Sequence, residues 1–258
     1  MFRYFIQLAY NGTKYHGWQF QPNAFTVQEI LTKALSLLLN ENIEIVGAGR
    51  TDTGVHASFY VAHFETQTEI ESDGKLIYKL NGFLPNDIRI DQIFQVPPAV
   101  HARFSATSRT YRYYISFRKE PFIDHISAFV PYELDLNLMN EAASILMEYN
   151  DFTSFSKLHT DVKTNNCTIM NAGWFEEDGR TLFEIQSDRF LRNMVRAIVG
   201  TLIDVGRKKI TLADFRDIIE QKNRALAGTS VPAKALFLTD ITYPEPFNSK
   251  LIRKFPDK

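Results

Sequence analysis

One carboxylate sits in a glycine-rich turn, Val46-Gly47-Ala48-Gly49-Arg50-Thr51-Asp52-Thr53-Gly54-Val55-His56-Ala57. Glycines at 47, 49 and 54 permit positive φ or a close backbone approach. Between them lie one guanidinium, two hydroxyls and a single acid. The chemistry on offer is that of one carboxylate, Asp52, held still beside Arg50. A simpler reading is a tight turn whose Asp52 bonds its own backbone, as turn aspartates often do.

Two further groupings carry charge or rings. Arg189, Arg192 and Arg196 are spaced i, i+3, i+7, which predicts one shared helix face. The rest of that segment is apolar, so these arginines need a carboxylate or phosphate to offset desolvation. Asp52 is one such partner, while Glu184 or Asp188 would make the arginines purely structural. The run from Arg109 to Phe117 mixes arginines with aromatics, as do Tyr15 and Trp18 in their loop, a mixture suited to base stacking and phosphate contact. As a strand, the run puts Tyr111, Tyr113, Ile115 and Phe117 on one face and Arg112, Tyr114 and Ser116 on the other. Tyr111 is the ring whose phenol is expected to face a groove.

Several chemistries are poorly supported. The six histidines form no HxH or HExxH pattern, and Cys167 alone builds neither a thiolate cage nor an internal disulfide. Gly47-Ala48-Gly49 lacks the rest of a dinucleotide fingerprint, and no G-x-S-x-G elbow is present. Asp52-Thr53-Gly54 is also the turn of aspartic proteases, but those need two carboxylates sharing one proton. No second Asp-Thr-Gly or Asp-Ser-Gly occurs.

The elements that must position these groups follow from periodicity. Residues 2–10 read as a strand closed by Asn11-Gly12. Thr26 and Glu29 form a capping box ahead of apolar positions 27, 30, 31, 34, 35 and 38, a helix ending near Asn40. Strands are expected at 43–46 and 59–64, a short helix at 76–83, a turn at Leu84-Pro85-Asn86-Asp87 and a strand at 88–96. The second half repeats this grammar. Asp135 caps a helix, strands at 168–176 and 181–187 flank a hairpin signal at Glu177-Asp178-Gly179, and a mostly buried helix runs from Phe190 to Val205 with Gly206 as its C′ residue. Thr211 caps a helix through Lys222, a strand covers 235–243, and Pro244 to Lys258 read as a loose basic tail. The expected class is α+β: two similar halves, each an antiparallel sheet with helices on one face. The halves span 1–105 and 106–244, the tail 245–258, and ligand is expected in a central cleft between the sheets.

A chain of 258 residues with 45% hydrophobic and 23% charged residues is an ordinary globular protein of one large or two smaller domains. No apolar run approaches the roughly 18 residues of a membrane span. The start reads as a strand rather than a signal peptide, and a single cysteine fits a cytoplasmic setting. A net charge of −1 argues against a uniformly basic nucleic-acid binder, but basic residues cluster at 103–118 and 189–224.

Gly49-Arg-Thr-Asp-Thr-Gly-Val-His-Ala57 resembles the catalytic motif of the TruA family of tRNA pseudouridine synthases. The likeness extends through Tyr15-His-Gly-Trp-Gln19, Thr26-Val-Gln-Glu29, Asn81 to Ile88, and His101 to Tyr113. It continues in Asp151-Phe-Thr-Ser-Phe155, Phe190-Leu-Arg-Asn-Met-Val-Arg196 and Pro232-Ala-Lys-Ala-Leu-Phe-Leu238. Thr53 stands where the family commonly has Ala, and Ala235 where Gly is usual; both are small.

The resemblance implies the pseudouridine synthase fold and an isomerase that breaks the uridine C1′–N1 bond, turns the uracil and rejoins it through C5. Asp52 would be the catalytic aspartate, as nucleophile or as base at C2′, with Arg196 its ion-pair partner. Tyr111 would stack on the target uracil and assist proton transfer, Arg50 would fill the space left by the flipped nucleotide, and Leu238 would line the pocket. Arg109, Arg189 and Arg192 are expected to contact RNA. No cofactor or metal is implied. The implied partners are the tRNA anticodon arm, at positions 38, 39 and 40, and a second copy in a homodimer. Two other classes share these features: a tRNA-binding or folding protein with incidental catalysis, and an N-glycosylase releasing uracil.

Overall fold

Where β-branched and aromatic residues run on, the chain is strand; where apolar residues recur every three or four, it is helix. The structure, a computed structural model, describes residues 1–70, 73–157, 164–177 and 179–253. In chain order its elements are β1 (Phe2–Tyr10), α1 (Val27–Leu39), β2 (Ile45–Gly47), β3 (His56–Thr66), α2 (Asp73–Phe83), β4 (Ile88–Val96), β5 (Ser108–Ser116) and β6 (Ala128–Phe129). Then follow α3 (Leu136–Ile145), β7 (Ile169–Glu177), β8 (Arg180–Ser187), α4 (Met194–Gly206), α5 (Leu212–Glu220), β9 (Leu236–Thr242) and α6 (Phe247–Lys250). The architecture is mixed α+β. It divides into a first unit, Met1–Thr107 with Leu238–Lys258 (described as far as Arg253), and a second, Ser108–Phe237. The hairpin residue Asp178 lies outside the described residues.

In the first unit the strand order is β4-β1-β3-β9, with β2 also paired to β3. β1 and β3 run antiparallel with Leu8 opposite Tyr60 and Tyr10 opposite Ala57, the register shifting between Leu8 and Tyr10. α1 starts where the Thr26 hydroxyl accepts the Glu29 amide and stops where Asn40 turns left-handed, φ 53°. The expected capping box is half made, because the Glu29 carboxylate reaches forward to Lys33, at 2.6 Å. α1 packs on β2 and α2, and α2 on β4. Asn81 of α2 bonds both the N–H and the C=O of Ile90, at 2.8 Å each, satisfying part of the β4 edge.

As far as Arg253 the tail differs from the loose one expected; its residues 254–258 lie outside the described residues. From Leu238 the chain rejoins the first unit, Leu251 is buried, and the buried Gln7 amide bonds Ile252 in both directions, at 2.6 and 2.9 Å. Arg253 meets Asp240 at 3.1 Å. The tail's composition is polar, but Gln7, the residue that ties Ile252 down, lies at the other end of the sequence.

In the second unit the order is β5-β8-β7, antiparallel. β6 pairs with β5 in parallel, so the sheet is not purely antiparallel as expected; the chain crosses over between 117 and 127. Phe117 falls just past the end of β5 and is exposed. α3 packs on β7 and α4, and α5 on both helices. α5 carries a complete capping box, Thr211 with Asp214.

The helix expected from Phe190 starts only at Met194, because Asn193 is left-handed at φ 65° and is held there by Ser230 Oγ at 2.6 Å. Its burial on most sides matches its composition. Gly206 is the last helical residue rather than the C′ residue; the left-handed position is Lys208, φ 58°. Gly206 is instead the site of close approach by Met139, whose side chain occupies the space a Cβ would need.

Candidate active site

The Asp52 loop leaves β2, enters β3 and rests on a bed of three rings. Trp18 stacks on Tyr60 at 4.2 Å between centroids, and Tyr10 lies at 5.6 Å from Tyr60 and 6.2 Å from Trp18. Each ring side chain or its backbone reaches the loop. The Tyr60 hydroxyl donates to the Gly49 carbonyl. The Tyr10 hydroxyl hydrogen bonds Thr51 Oγ1 at 2.9 Å. The Trp18 amide donates to the Thr51 carbonyl at 3.3 Å. The loop is also closed by Ala48 N–H to Val61 O at 2.9 Å and Val55 N–H to Asp52 O at 3.1 Å.

Two glycines make this approach possible. Gly17 is left-handed, φ 87°, and a Cβ there would collide with the Thr51 carbonyl. At Gly47 a Cβ would enter the Tyr60 hydroxyl and the Trp18 ring. Gly54 supplies a positive φ of 78°, whereas Gly49 needs neither property: it faces open space. The outcome is a buried Thr51 flanked by an exposed Arg50 and a half-buried Asp52.

The bed is anchored from further away. Tyr15 is buried and its hydroxyl donates to the Asp87 carboxylate, while its carbonyl accepts the Gly54 amide at 3.3 Å. Burial, then the hydrogen bond and charge of Asp87, push the Tyr15 phenol well above its ordinary range, so it stays a donor. The Asp87 carbonyl in turn accepts the Asn11 amide at 2.9 Å. The turn at 84–87 therefore serves the loop rather than merely reversing the chain. Leu238, the third expected site residue of this unit, is buried on β9.

In the second unit Tyr111 is half-buried on β5 and meets Phe190 edge-on at 5.1 Å. Arg109, two residues earlier, donates to the Asp188 carbonyl at 2.7 Å, so β5 and the segment after β8 are tied beside Tyr111. The single arginine face expected at 189–196 does not form, since Arg189 and Arg192 precede α4 and only Arg196 lies on it. Arg189 donates to Thr164 O at 3.2 Å, and Arg192 is exposed. Arg196 is half-buried. Its Nε donates to Val231 O at 2.7 Å, and its carbonyl accepts Val231 N–H at 3.2 Å. Next to it, Tyr113 donates to Pro232 O at 3.1 Å; burial pushes this phenol up, with the Arg196 charge opposing. Glu184 pairs with Arg112, its cross-strand partner, at 2.7 Å. The Asp188 carboxylate accepts Thr168 N–H and Arg189 N–H, at 2.8 and 2.7 Å.

Sequence reading missed Tyr10, Tyr60 and Asp87. Nothing local marks them, since Tyr10 and Tyr60 become neighbours only through the shifted β1–β3 register. Among the described residues no three metal-ligating side chains converge, and no helix is long and apolar enough to cross a membrane.

Comparison with known proteins bears on the same residues. A family model described as tRNA pseudouridine synthase matches residues 7–105 and 142–244, spanning the Asp52 loop, its ring bed and Arg196. The chain is 56% identical over 245 residues to the tRNA pseudouridine synthase A of Parabacteroides distasonis, covering 95% of this chain and 97% of that one. It is 57% identical over 244 residues to the Bacteroides fragilis protein of that name, covering 94% and 97%. With the Thermoanaerobacter sp. protein of that name the figure is 40% over 240 residues, covering 92% and 98%. A carboxylate loop built on distant aromatics, matched through both units and nearly end to end, places this chain in the tRNA pseudouridine synthase family.

Proposed function

We propose that this chain isomerises uridine to pseudouridine in the tRNA anticodon arm, at positions 38, 39 and 40, with Asp52 as the catalytic aspartate. The observation that carries the reading is the pinned loop, in which buried Thr51 fixes the backbone on one side of a half-buried Asp52. A carboxylate whose backbone is fixed before substrate arrives avoids reorganisation during the reaction.

The reaction breaks C1′–N1 and forms C1′–C5; the C5 proton is lost and N1 gains one, so nothing is oxidised and no co-reactant is consumed. Attack by Asp52 on a ribose carbon and removal of the C2′ proton both require its ionised form. Arg196 is the proposed ion-pair partner, held through Val231. Tyr111 stacks on the uracil, and Leu238 lines its pocket. Arg50, exposed between two fixed residues, fills the gap left by a flipped nucleotide. Arg109, Arg189 and Arg192 contact the RNA backbone; the bonds of Arg109 and Arg189 to backbone carbonyls support them as oriented rather than free-swinging cations. The enzyme works in the cytoplasm as a homodimer, which doubles a modest basic surface on a chain of net charge −1.

Asp52→Ala is expected to abolish pseudouridine formation, by at least about 10³-fold in single turnover, while tRNA binding stays within about threefold. Retained turnover in the folded variant overturns the assignment of Asp52. Release of free uracil would instead indicate a glycosylase.

A further inference from the structure

Arg50 is unusual in that both its neighbours are held by tyrosine hydroxyls from different strands. Tyr60, on β3, donates to the carbonyl of Gly49. Tyr10, on β1, hydrogen bonds the hydroxyl of Thr51 at 2.9 Å. Both tyrosines are buried, at 0% and 4% exposure, as is Thr51 at 7%. Their rings are locked against Trp18, whose own amide takes the Thr51 carbonyl. Thr51 is therefore gripped at side chain and main chain at once, and Gly49 at its main chain.

Burying a phenol costs free energy unless its oxygen finds a partner, and a core phenylalanine would pack the same space without that demand. Two phenols in one ring cluster, each aimed at one side of the same exposed arginine, are thus a feature of the loop rather than of the core. We infer that the Tyr10 and Tyr60 hydroxyls are positioning groups, a two-sided clasp that sets the backbone carrying Arg50 and Asp52. The inference rests on the reading of Asp52 as the catalytic acid and adds the groups that hold it. Neither phenol touches the reacting atoms; each acts through Gly49 or Thr51. The clasp has consequences distinct from stability. Loosening either side lets Asp52 shift by a fraction of an ångström, which costs turnover far more than it costs binding of a large RNA held by many contacts.

The experiment is single-turnover and steady-state kinetics on Tyr10→Phe and Tyr60→Phe, each of which removes one oxygen and keeps the ring. Both are expected to lower kcat per folded molecule by about 10- to 100-fold, with KM for tRNA within about twofold. Thr51→Val is expected to reproduce the Tyr10→Phe loss, and Thr51→Ser, which keeps the hydroxyl, to recover most of it. If Tyr10→Phe fails to fold, the Thr51→Val and Thr51→Ser comparison decides the same bond. Unchanged kcat per folded molecule in the folded variants, with only a lowered melting temperature, overturns the clasp. Asp52→Ala run alongside separates the two ideas. If it is inactive while the tyrosine variants keep full kcat, only the clasp fails; if it stays active, both fail.

Discussion

The two regions expected to carry the chemistry are built in opposite ways. The Asp52 loop has almost no secondary structure of its own and is held by bonds from residues 10–18 and 60. The Arg189–Arg196 segment ends in a buried helix, yet only its last arginine belongs to that helix, and that one is fixed by the backbone of Val231. A loop with external supports is as well determined as a helix; a helix fixes only the side chains that lie on it. In both regions the position of the functional group is set by contacts more than 30 residues away in sequence, such as Tyr10 to Thr51 and Arg196 to Val231.

After Asp52 itself, the largest effect is expected at Arg196. Arg196→Met removes the charge but keeps most of the packing volume. If Arg196 is the ion partner of Asp52, turnover of the folded variant falls by about 10²–10³-fold. If the arginine serves only to tie α4 to the 231 segment, stability falls and activity per folded molecule survives. Single-turnover assays on protein whose folded fraction is measured by circular dichroism separate the two outcomes.

A smaller effect tests whether the loop depends on its supports. Gly17→Ala places a Cβ against the Thr51 carbonyl at a left-handed position. The strain and collision together are expected to cost about 2–4 kcal/mol in chemical denaturation, with activity falling further than stability because Thr51 must move. A variant as stable and active as the parent would show that the Trp18–Thr51 contact does not shape the loop.

How much of this was legible beforehand follows from the range of the interactions. The class, the strands of both units apart from β6, α1 and the isolation of Asp52 among glycines depend on local pattern, and the sequence displays them. Gly206 and Asn193 show where local pattern misleads. A glycine at a helix end looks like a C′ residue but here makes room for Met139. An asparagine inside a helical run looks tolerable but takes a left-handed conformation because Ser230 holds it. Tyr10 and Tyr60 were not legible at all, because a bulge between Leu8 and Tyr10 decides which residues face each other. The tail misled for the same reason: its partners Gln7 and Asp240 are invisible from its composition.

The smallest expected effect contrasts the two units by acid. β3 begins at the Asp52 loop and further along carries His63, which is buried and whose Nδ1 accepts the Ala102 amide at 3.2 Å. His101 lies 4.5 Å away ring to ring, and Arg3 and Glu65 are also close. Burial first, then the charges of His101 and Arg3, lower His63 to about 4, Glu65 opposing. Because the folded form holds neutral His63, the unfolded chain binds the extra proton between about pH 6.5 and pH 4, and stability falls as pH falls through that window. From pH 7 to pH 5 the loss from this one group is at most about 2 kcal/mol. In the second unit the lowered groups are carboxylates, Asp135 beneath the Leu138 amide and Asp214 beneath Thr211, and their contribution is lost only below about pH 4. Hydrogen exchange corrected for intrinsic rates should therefore show β3 amides opening more readily at pH 5 than at pH 7 while β8 amides change less. His63→Asn, which keeps an acceptor for Ala102 but cannot titrate, should flatten the β3 response. An equal response in both strands, or an unchanged slope in the variant, would assign the acid sensitivity to groups other than His63.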